Sequence, residues 1–359
     1  MLNHLGEKRK VREMFPLTVN PRSVRATDFP TNGTQEEQWC FLVNYALLAP
    51  SEYNTQPWLF RVHDNSLELS VDSTRSVPVV DPEGRELLIS CGAAICNLRL
   101  ALRHFGYLAH LESHLLKHYP DLIVRLSLGE KEPATSEEER LFAAIPLRHT
   151  NRSLYEDRPV PADTLERMKT LAGHEGAWLE VIQKAPVREA ITDLIVAGDQ
   201  QQWADRCFRE ELAQWIHPRE TTSTDGLPGA VNAKGSIHEM TSPFIVRTFD
   251  LWKQEAARDR QLIAGAPVLL ALGTFADTPE DWFSAGMATE QVLLEACASG
   301  LQTSFVNQPI EVPSLRGKLQ QLLARQDYPQ LLIRAGYAEK TTIDTPRRCV
   351  QDVLIQEEK

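Results

Sequence analysis

Two blocks of this sequence occur twice in the same order, and that repetition limits the fold more than any single motif. "GAAICNLRLALRHFGY" begins at Gly92 and "GMATEQVLLEACASGL" begins at Gly286. Each sets a glycine fourteen residues before another and fills the interval with small and apolar residues at helical spacing. That is the pattern of a helix packed closely on its neighbours. "YPDLIVRLSLGE", Tyr119 to Glu130, then aligns with "YPQLLIRAGYAE", Tyr328 to Glu339, with Tyr, Pro, Leu, Arg and Glu at matching places. Both read as buried strands of nearly continuous apolar character, centred on Arg125 and Arg334.

The starts of the two halves also correspond. "TNGTQEEQWCFLVNYALLA" reads as a helix with Asn32 and Thr34 as capping candidates, and Pro161-Ala162-Asp163 opens the matching helix later on. Each half then runs helix, loop, strand, longer helices, strand. The expected fold is α+β, with a mixed sheet and flanking helices in each half. The two halves pack about a pseudo-twofold axis, as a homodimer written in one chain would. A length of 359 residues accommodates two such units. The expected division is a tail at 1–20, a first half at 21–140 and a second half at 141–359. The second half carries an insert at 221–243, rich in Gly, Ser and Thr, that reads equally as a lid or as a surface loop.

Bulk properties remove several function classes. The formal net charge is −11, so there is no basic excess to grip a nucleic-acid backbone, and "GEKRKVR" near the start reads as a solvated tail. No run approaches the ~18 apolar residues of a membrane span, and the N-terminal stretch lacks the apolar core of a signal peptide. Six cysteines without a C-x-x-C pattern fit reduced thiols in a cytoplasmic protein.

The halves differ where chemistry would sit. "APSEYNTQPWLF" in the first half crowds Ser51, Asn54 and Gln56 between Pro50 and Pro57, whereas the matching place in the second half reads "LAGHEGAWLEVI", with Trp178 for Trp58 and none of those three. Conversely, "RHTNR" carries Arg148, Thr150 and Arg152, while the first-half copy "PRSVR" has Pro21 at the leading position. One junction can therefore join a complete arginine motif to a complete Ser/Asn/Gln loop, and the other receives two degraded copies. The expectation is one ligand site per chain.

Two guanidinium groups and a hydroxyl make a multidentate phosphate clamp, though the same string suits a surface salt-bridge cluster. Ser, Asn and Gln side chains both donate and accept, which suits the edge of a flat heterocycle. They also suit a loop that satisfies its own backbone through Asx-type turns. Supplied by opposite halves, a phosphate clamp and a heterocycle-edge loop together suggest a mononucleotide.

On these motifs the chain resembles the FMN-dependent nitroreductase superfamily. "DPEGRELLISCGAAICNLRLAL", "RHTNRSLY" and "TPRRCV" are more narrowly similar to its twin-domain, Acg-like branch. The resemblance covers residues from about 20 to 350 and implies one FMN per chain. It implies that Arg148, Thr150 and Arg152 hold the phosphate and ribityl end, with Arg347 and Arg348 reaching the phosphate. Pro50, Ser51, Asn54 and Gln56 would line the flavin from the other half, and Val306, Asn307 and Gln308 would pass its N5 edge. His149, inside the clamp, is a candidate for contact with FMN or for a solvated structural role.

The activity implied is ping-pong transfer from a nicotinamide donor, NAD(P)H, to a flat acceptor such as a nitroaromatic, a quinone or an activated alkene, with no dedicated catalytic residue. The rival is an FMN-sequestering protein with little turnover. The expected partner is a small-molecule acceptor, and a one-chain pseudo-dimer is expected to be a monomer or a weak oligomer. His110, His114 and His118 would share a helical face and suggest zinc, but they lead into a strand and lack an obvious carboxylate or cysteine partner, so no metal is expected. No Walker loop, nucleophile elbow or Rossmann fingerprint is present.

Overall fold

The computed structural model describes residues 20–63, 65–115, 121–217, 222–228, 243–339 and 345–355. The basic string near the N-terminus and His118 lie outside the described residues. The first half opens with α1 (Gln35–Ala46), capped by Thr34, which accepts from the Glu37 amide while the Glu37 carboxylate accepts from the Thr34 amide. It continues through β1 (Trp58–His63), β2 (Ser66–Val71), α2 (Arg85–His104), β3 (Tyr107–Ser113) and β4 (Leu122–Lys131). Helix α3 (Ser136–Ala144) leads into the second half.

The second half begins with α4 (Ala162–His174) and β5 (Ala177–Val181). A block of α5 (Ala185–Ala204), α6 (Arg206–Gln214), the two-residue strands β6 (Ile216–His217) and β7 (Leu227–Pro228), α7 (Pro243–Thr248) and α8 (Trp252–Ala264) follows. Then come β8 (Val268–Thr274), α9 (Pro279–Ala298), β9 (Gln302–Phe305), α10 (Gln308–Glu311), α11 (Pro313–Leu322), β10 (Tyr328–Gly336) and α12 (Val350–Val353).

The duplication is visible in the sheets. The first has the order β1-β2-β4-β3 and the second β5-β8-β10-β9, so equivalent strands occupy equivalent places. The ladders within both sheets are antiparallel. Parallel pairing enters at their edges, as single bridges of Phe60 with Leu354 and Thr150 with Thr303. The expected mixed character is thus confined to these edge additions. The repeated arginine strands are β4 and β10. His110 lies on β3, so the helical spacing that suggested zinc is not realised.

The repeated glycine helices are α2 and α9, and they form the most extensive helix pair in the molecule. Gly92 and Gly286 meet at their crossing. A Cβ on Gly92 would stand 2.1 Å from the Phe283 carbonyl oxygen, and one on Gly286 would stand 2.0 Å from that of Ile89. The seam between the halves therefore closes to backbone distance. Both helices end at a glycine in the left-handed region, Gly106 at φ 81° and Gly300 at φ 78°, a conformation without penalty only for glycine.

The two sheets are covered differently. Along β4, Ile123, Val124 and Leu126 are buried while Arg125 and Ser127 are half-exposed, so the strand is covered less completely than its second-half counterpart. Strand β8 is buried at every position, and β10 at every position after Tyr328. Two separate apolar cores account for this. Leu331 and Ile333 face the α9 side, and Leu332 faces a core with Ile191 and Ile195 of α5 and Ile263 of α8. The added cover comes from residues 182–267, which join β5 to β8 where only residues 64 and 65 join β1 to β2. Of the expected insert at 221–243, residues 221 and 229–242 lie outside the described residues. The C-terminal segment returns to the first half, where Val350 and Val353 enter its core.

Candidate functional site

A cavity of about 930 Å³ lies between the halves. The 50–54 loop and α2 form one wall, the 148–156 segment another, and the block from α5 to α7 closes the side through Trp203, Phe208, Leu227 and Val246. That volume suits a cofactor-sized ligand.

Among the described residues, backbone strain gathers in the loop after α1. Among the described residues, four other than glycine have positive φ, and three of them are Tyr53 (45°), Asn54 (56°) and Gln56 (52°). Each costs of order 1–3 kcal/mol and persists only where its surroundings enforce it. The enforcement is a set of buried hydrogen bonds. The Gln56 amide donates to Ser51 Oγ at 2.9 Å. Asn54 Nδ2 donates to the carbonyls of Gly226 (3.1 Å) and Pro346 (3.0 Å), and its Oδ1 accepts from Arg347 Nη1 at 2.9 Å. Gln56 Nε2 donates to the Thr224 carbonyl at 2.9 Å, and its Oε1 accepts from the Arg348 amide at 2.8 Å.

The side-chain amides of Asn54 and Gln56 are thus used to tie the loop to the 222–228 turn and to the C-terminal segment. Gln56 is fully buried and does not line the cavity, whereas Pro50, Ser51, Asn54 and Arg347 do. Arg348 also lies outside the lining. Its Nη1 donates to the Gln56 carbonyl at 3.1 Å and stands 3.5 Å from Asp72.

Arginines gather at one pole. Arg148 is 2% exposed yet lines the cavity. Its Nη2 donates to the Leu48 carbonyl at 3.1 Å and its Nε stands 3.5 Å from Glu290 Oε1, while Nη1 has no hydrogen-bond partner. Burial pushes the Glu290 carboxyl up to about 6, with Arg148 pulling the other way. Arg22, from the degraded first-half motif, also reaches the cavity while donating to the Pro146 carbonyl at 2.9 Å. Arg152 lines the cavity as an exposed residue. His149 lines it too, with Nδ1 2.8 Å from the Leu147 carbonyl oxygen. Thr150 lies on the lining, with its backbone bridged to Thr303.

Carboxyl groups gather at the other pole, and sequence reasoning missed them. Glu52, Glu86 and Glu311 bring one oxygen each within 4.8 Å of one another, and all three line the cavity. Burial raises all three, Glu311 to about 8, and repulsion from Glu86 adds to the rise in Glu52 and Glu311, while on Glu86 itself Arg85 pulls the other way. Arg85 Nη2 pairs with Glu86 at 2.6 Å, and Gln202 Nε2 donates to Glu311 at 2.6 Å. An oxygen-only trio is a donor set for a hard cation. The arginine already bonded to Glu86 and the raised carboxyls favour retained protons instead. Nearby, Gln308 Nε2 donates to Asp199 Oδ1 (3.1 Å) and Asp259 Oδ2 (2.6 Å), and burial together with Asp259 pushes Asp199 up to about 9. Asn307 and Gln308 line the cavity, but Val306 points into the core beside Leu332. No local string marks this pole, because its residues come from four distant elements. Glu86 stands in a stretch that carries the branch resemblance, but nothing in it marks that residue as part of a carboxyl cluster.

The fold and site define a duplicated α+β protein with one polar cavity between its halves, and its relatives match over nearly the whole chain. It is 31% identical over 326 residues to Rv3131 of Mycobacterium tuberculosis, provisionally named an NAD(P)H nitroreductase, covering 87% of this chain and 90% of that one. It is 24% identical over 320 residues to Acg of the same organism, covering 87% and 93%. It is 24% identical over 342 residues to PigM of a Serratia species, covering 90% and 94%. Both of these are likewise provisionally named NAD(P)H nitroreductases. The chain therefore belongs to the nitroreductase family, in the branch that includes Acg. No family model matches it. Among solved structures, the FMN-dependent nitroreductase NfnB of Mycobacterium smegmatis overlaps at TM-score 0.38 and 18% identity, over 62% of this chain and 98% of that one. Among the described residues no helix is long and apolar enough to cross a membrane.

Proposed function

We propose that this chain binds one FMN in the cavity between its halves and acts as an NAD(P)H-dependent oxidoreductase on a flat organic acceptor. The observation that carries this reading is Arg148: a buried guanidinium on the cavity lining whose Nη1 has no partner. An unsatisfied buried donor is costly, and an anion at the arginine pole would satisfy it. Arg148, Thr150, Arg152 and Arg347 would hold the phosphate and ribityl end. Pro50, Ser51 and Asn54 would form the facing wall, with Asn307 and Gln308 towards the acidic pole. Gln56 and Arg348 serve the site indirectly, by fixing the strained loop and the C-terminal segment.

When bound, the flavin supplies two-electron redox chemistry. The chain supplies position, exclusion of water and protons. Glu311 at about 8 and Asp199 at about 9 retain protons at neutral pH, where an acceptor taking up electrons needs them. Duplication makes a monomer sufficient, since both walls of the site come from one chain.

The test is a visible spectrum of the purified protein with flavin stoichiometry, followed by anaerobic addition of NADPH. The expected result is a yellow protein with one FMN per chain that NADPH bleaches. A yellow protein bleached by dithionite and untouched by NADPH establishes sequestration instead. Two FMN per chain refutes the single asymmetric site, and a colourless protein that does not take up FMN refutes the flavin reading.

A further inference from the structure

Arg334, in the middle of β10, has no exposed surface. Among the described residues no carboxylate lies within ion-pair distance of it, and its Nε has no hydrogen-bond partner. Burial lowers its guanidinium, against the pull of Tyr155 and Asp259. Burying an uncompensated charge is expensive, and replacing it by an apolar side chain of similar size is often neutral or stabilising. Packing alone therefore does not explain an arginine here.

Its contacts do. Nη1 donates to the Ser153 carbonyl at 2.9 Å and Nη2 to the Asn151 carbonyl at 3.2 Å. The guanidinium lies 4.2 Å from the ring centroid of Tyr155, whose hydroxyl donates to the same Asn151 carbonyl at 2.9 Å. The Asn151 amide in turn donates to the Thr303 carbonyl at 2.8 Å. Arg334 thus grips the backbone of the 148–153 segment from behind, with Arg152 between its two acceptors. In the first half the equivalent Arg125 is half-exposed on the less covered side of its sheet and pairs with Glu68 at 2.6 Å.

We propose that Arg334 is a positioning residue for the arginine pole, setting the backbone that presents Arg148, Thr150 and Arg152 and making that pole selective for a phosphate-bearing ligand. The inference rests on the FMN reading above. It adds that selectivity for the phosphate depends on a residue that does not line the cavity.

The experiment compares FMN with riboflavin, which lacks the phosphate, by fluorescence quenching on the full chain, for wild type, Arg334→Met, Arg334→Lys and Tyr155→Phe. Thermal unfolding of each ligand-free protein is measured in parallel. Arg334→Met is expected to weaken FMN by about tenfold or more while riboflavin changes by less than about twofold. Arg334→Lys, which keeps the charge and one donor, should recover part of the loss. Tyr155→Phe removes one bond to the Asn151 carbonyl, keeps the ring, and should weaken FMN by about threefold; it decides the matter if the methionine variant does not fold. Equal loss of both ligands, or no loss of either, overturns the role given to Arg334. If wild-type protein binds FMN but holds riboflavin equally well, the phosphate clamp itself fails. If it binds neither, the flavin reading fails first.

Discussion

The same turn is made twice in this molecule, at very different lengths. In the first half, residues 47–57 separate α1 from β1, whereas in the second only residues 175 and 176 separate α4 from β5. Both turns deliver a buried tryptophan, Trp58 or Trp178, at or next to the start of a strand. The short turn shows what the fold needs. The long one holds three non-glycine residues in the left-handed region and binds them to segments far away in sequence. The surplus length and the strain are therefore not demands of the architecture. They belong to the cavity. A homodimer carries any such change in both copies, but a duplicated chain can keep strain on one side only.

The largest expected effect tests this contrast at its buried charge. Arg148→Ala leaves Glu290 without its partner and should cost about 3–5 kcal/mol in urea unfolding at neutral pH. The equivalent first-half position is already Pro21. Removing exposed Arg25, the counterpart of Arg152, should shift stability by under about 0.5 kcal/mol and leave FMN retention unchanged. A comparable loss at Arg25 would end the claim that one motif is spent.

The glycine seam should behave in the opposite, symmetric way. Gly92→Ala and Gly286→Ala each drive a methyl group onto backbone, and each should cost roughly 1–3 kcal/mol or more by overpacking. If one is tolerated and the other is not, the two halves are not equivalent at their contact. At the loop itself, Asn54→Ala removes one acceptor of Arg347 and the two bonds to the Gly226 and Pro346 carbonyls, for an expected loss of about 1–3 kcal/mol and weaker FMN retention. His174→Ala, at the exposed matching place, should be nearly silent.

The contrast also shows in pH dependence. Glu311 and Asp199 hold their protons to about 8 and about 9 in the folded chain, while the unfolded chain releases them in the ordinary carboxylate range. Between those limits the folded state binds more protons, so rising pH favours unfolding. The melting temperature should fall from pH 6 to pH 9, and Glu311→Gln should flatten that slope. A flat wild-type profile would show that these carboxyls ionise normally.

The duplication was legible in the sequence because helices and strands write their periodicity into consecutive residues. So were the arginine motif and the unusual loop, as departures from one copy to the other. What stayed hidden depends on distant backbone. Asn54 and Gln56 look like ligand-facing amides until the carbonyls of Thr224, Gly226 and Pro346 are brought beside them. Glu52, Glu86 and Glu311 have no common string, and only the fold makes them neighbours. Arg125 and Arg334 occupy the same place in a repeat, yet the second half buries Arg334 fully and the first leaves Arg125 half-exposed. Local sequence cannot show which sheet face a remote block will cover.

The crossing of Gly92 and Gly286 also bears on how a ligand enters. Helices that meet at backbone distance have no side chains to act as bearings, so sliding or rocking one half on the other would force main chain into main chain. Entry of a ligand by parting of the two halves at this seam is therefore disfavoured. The two sheets would stay fixed relative to one another.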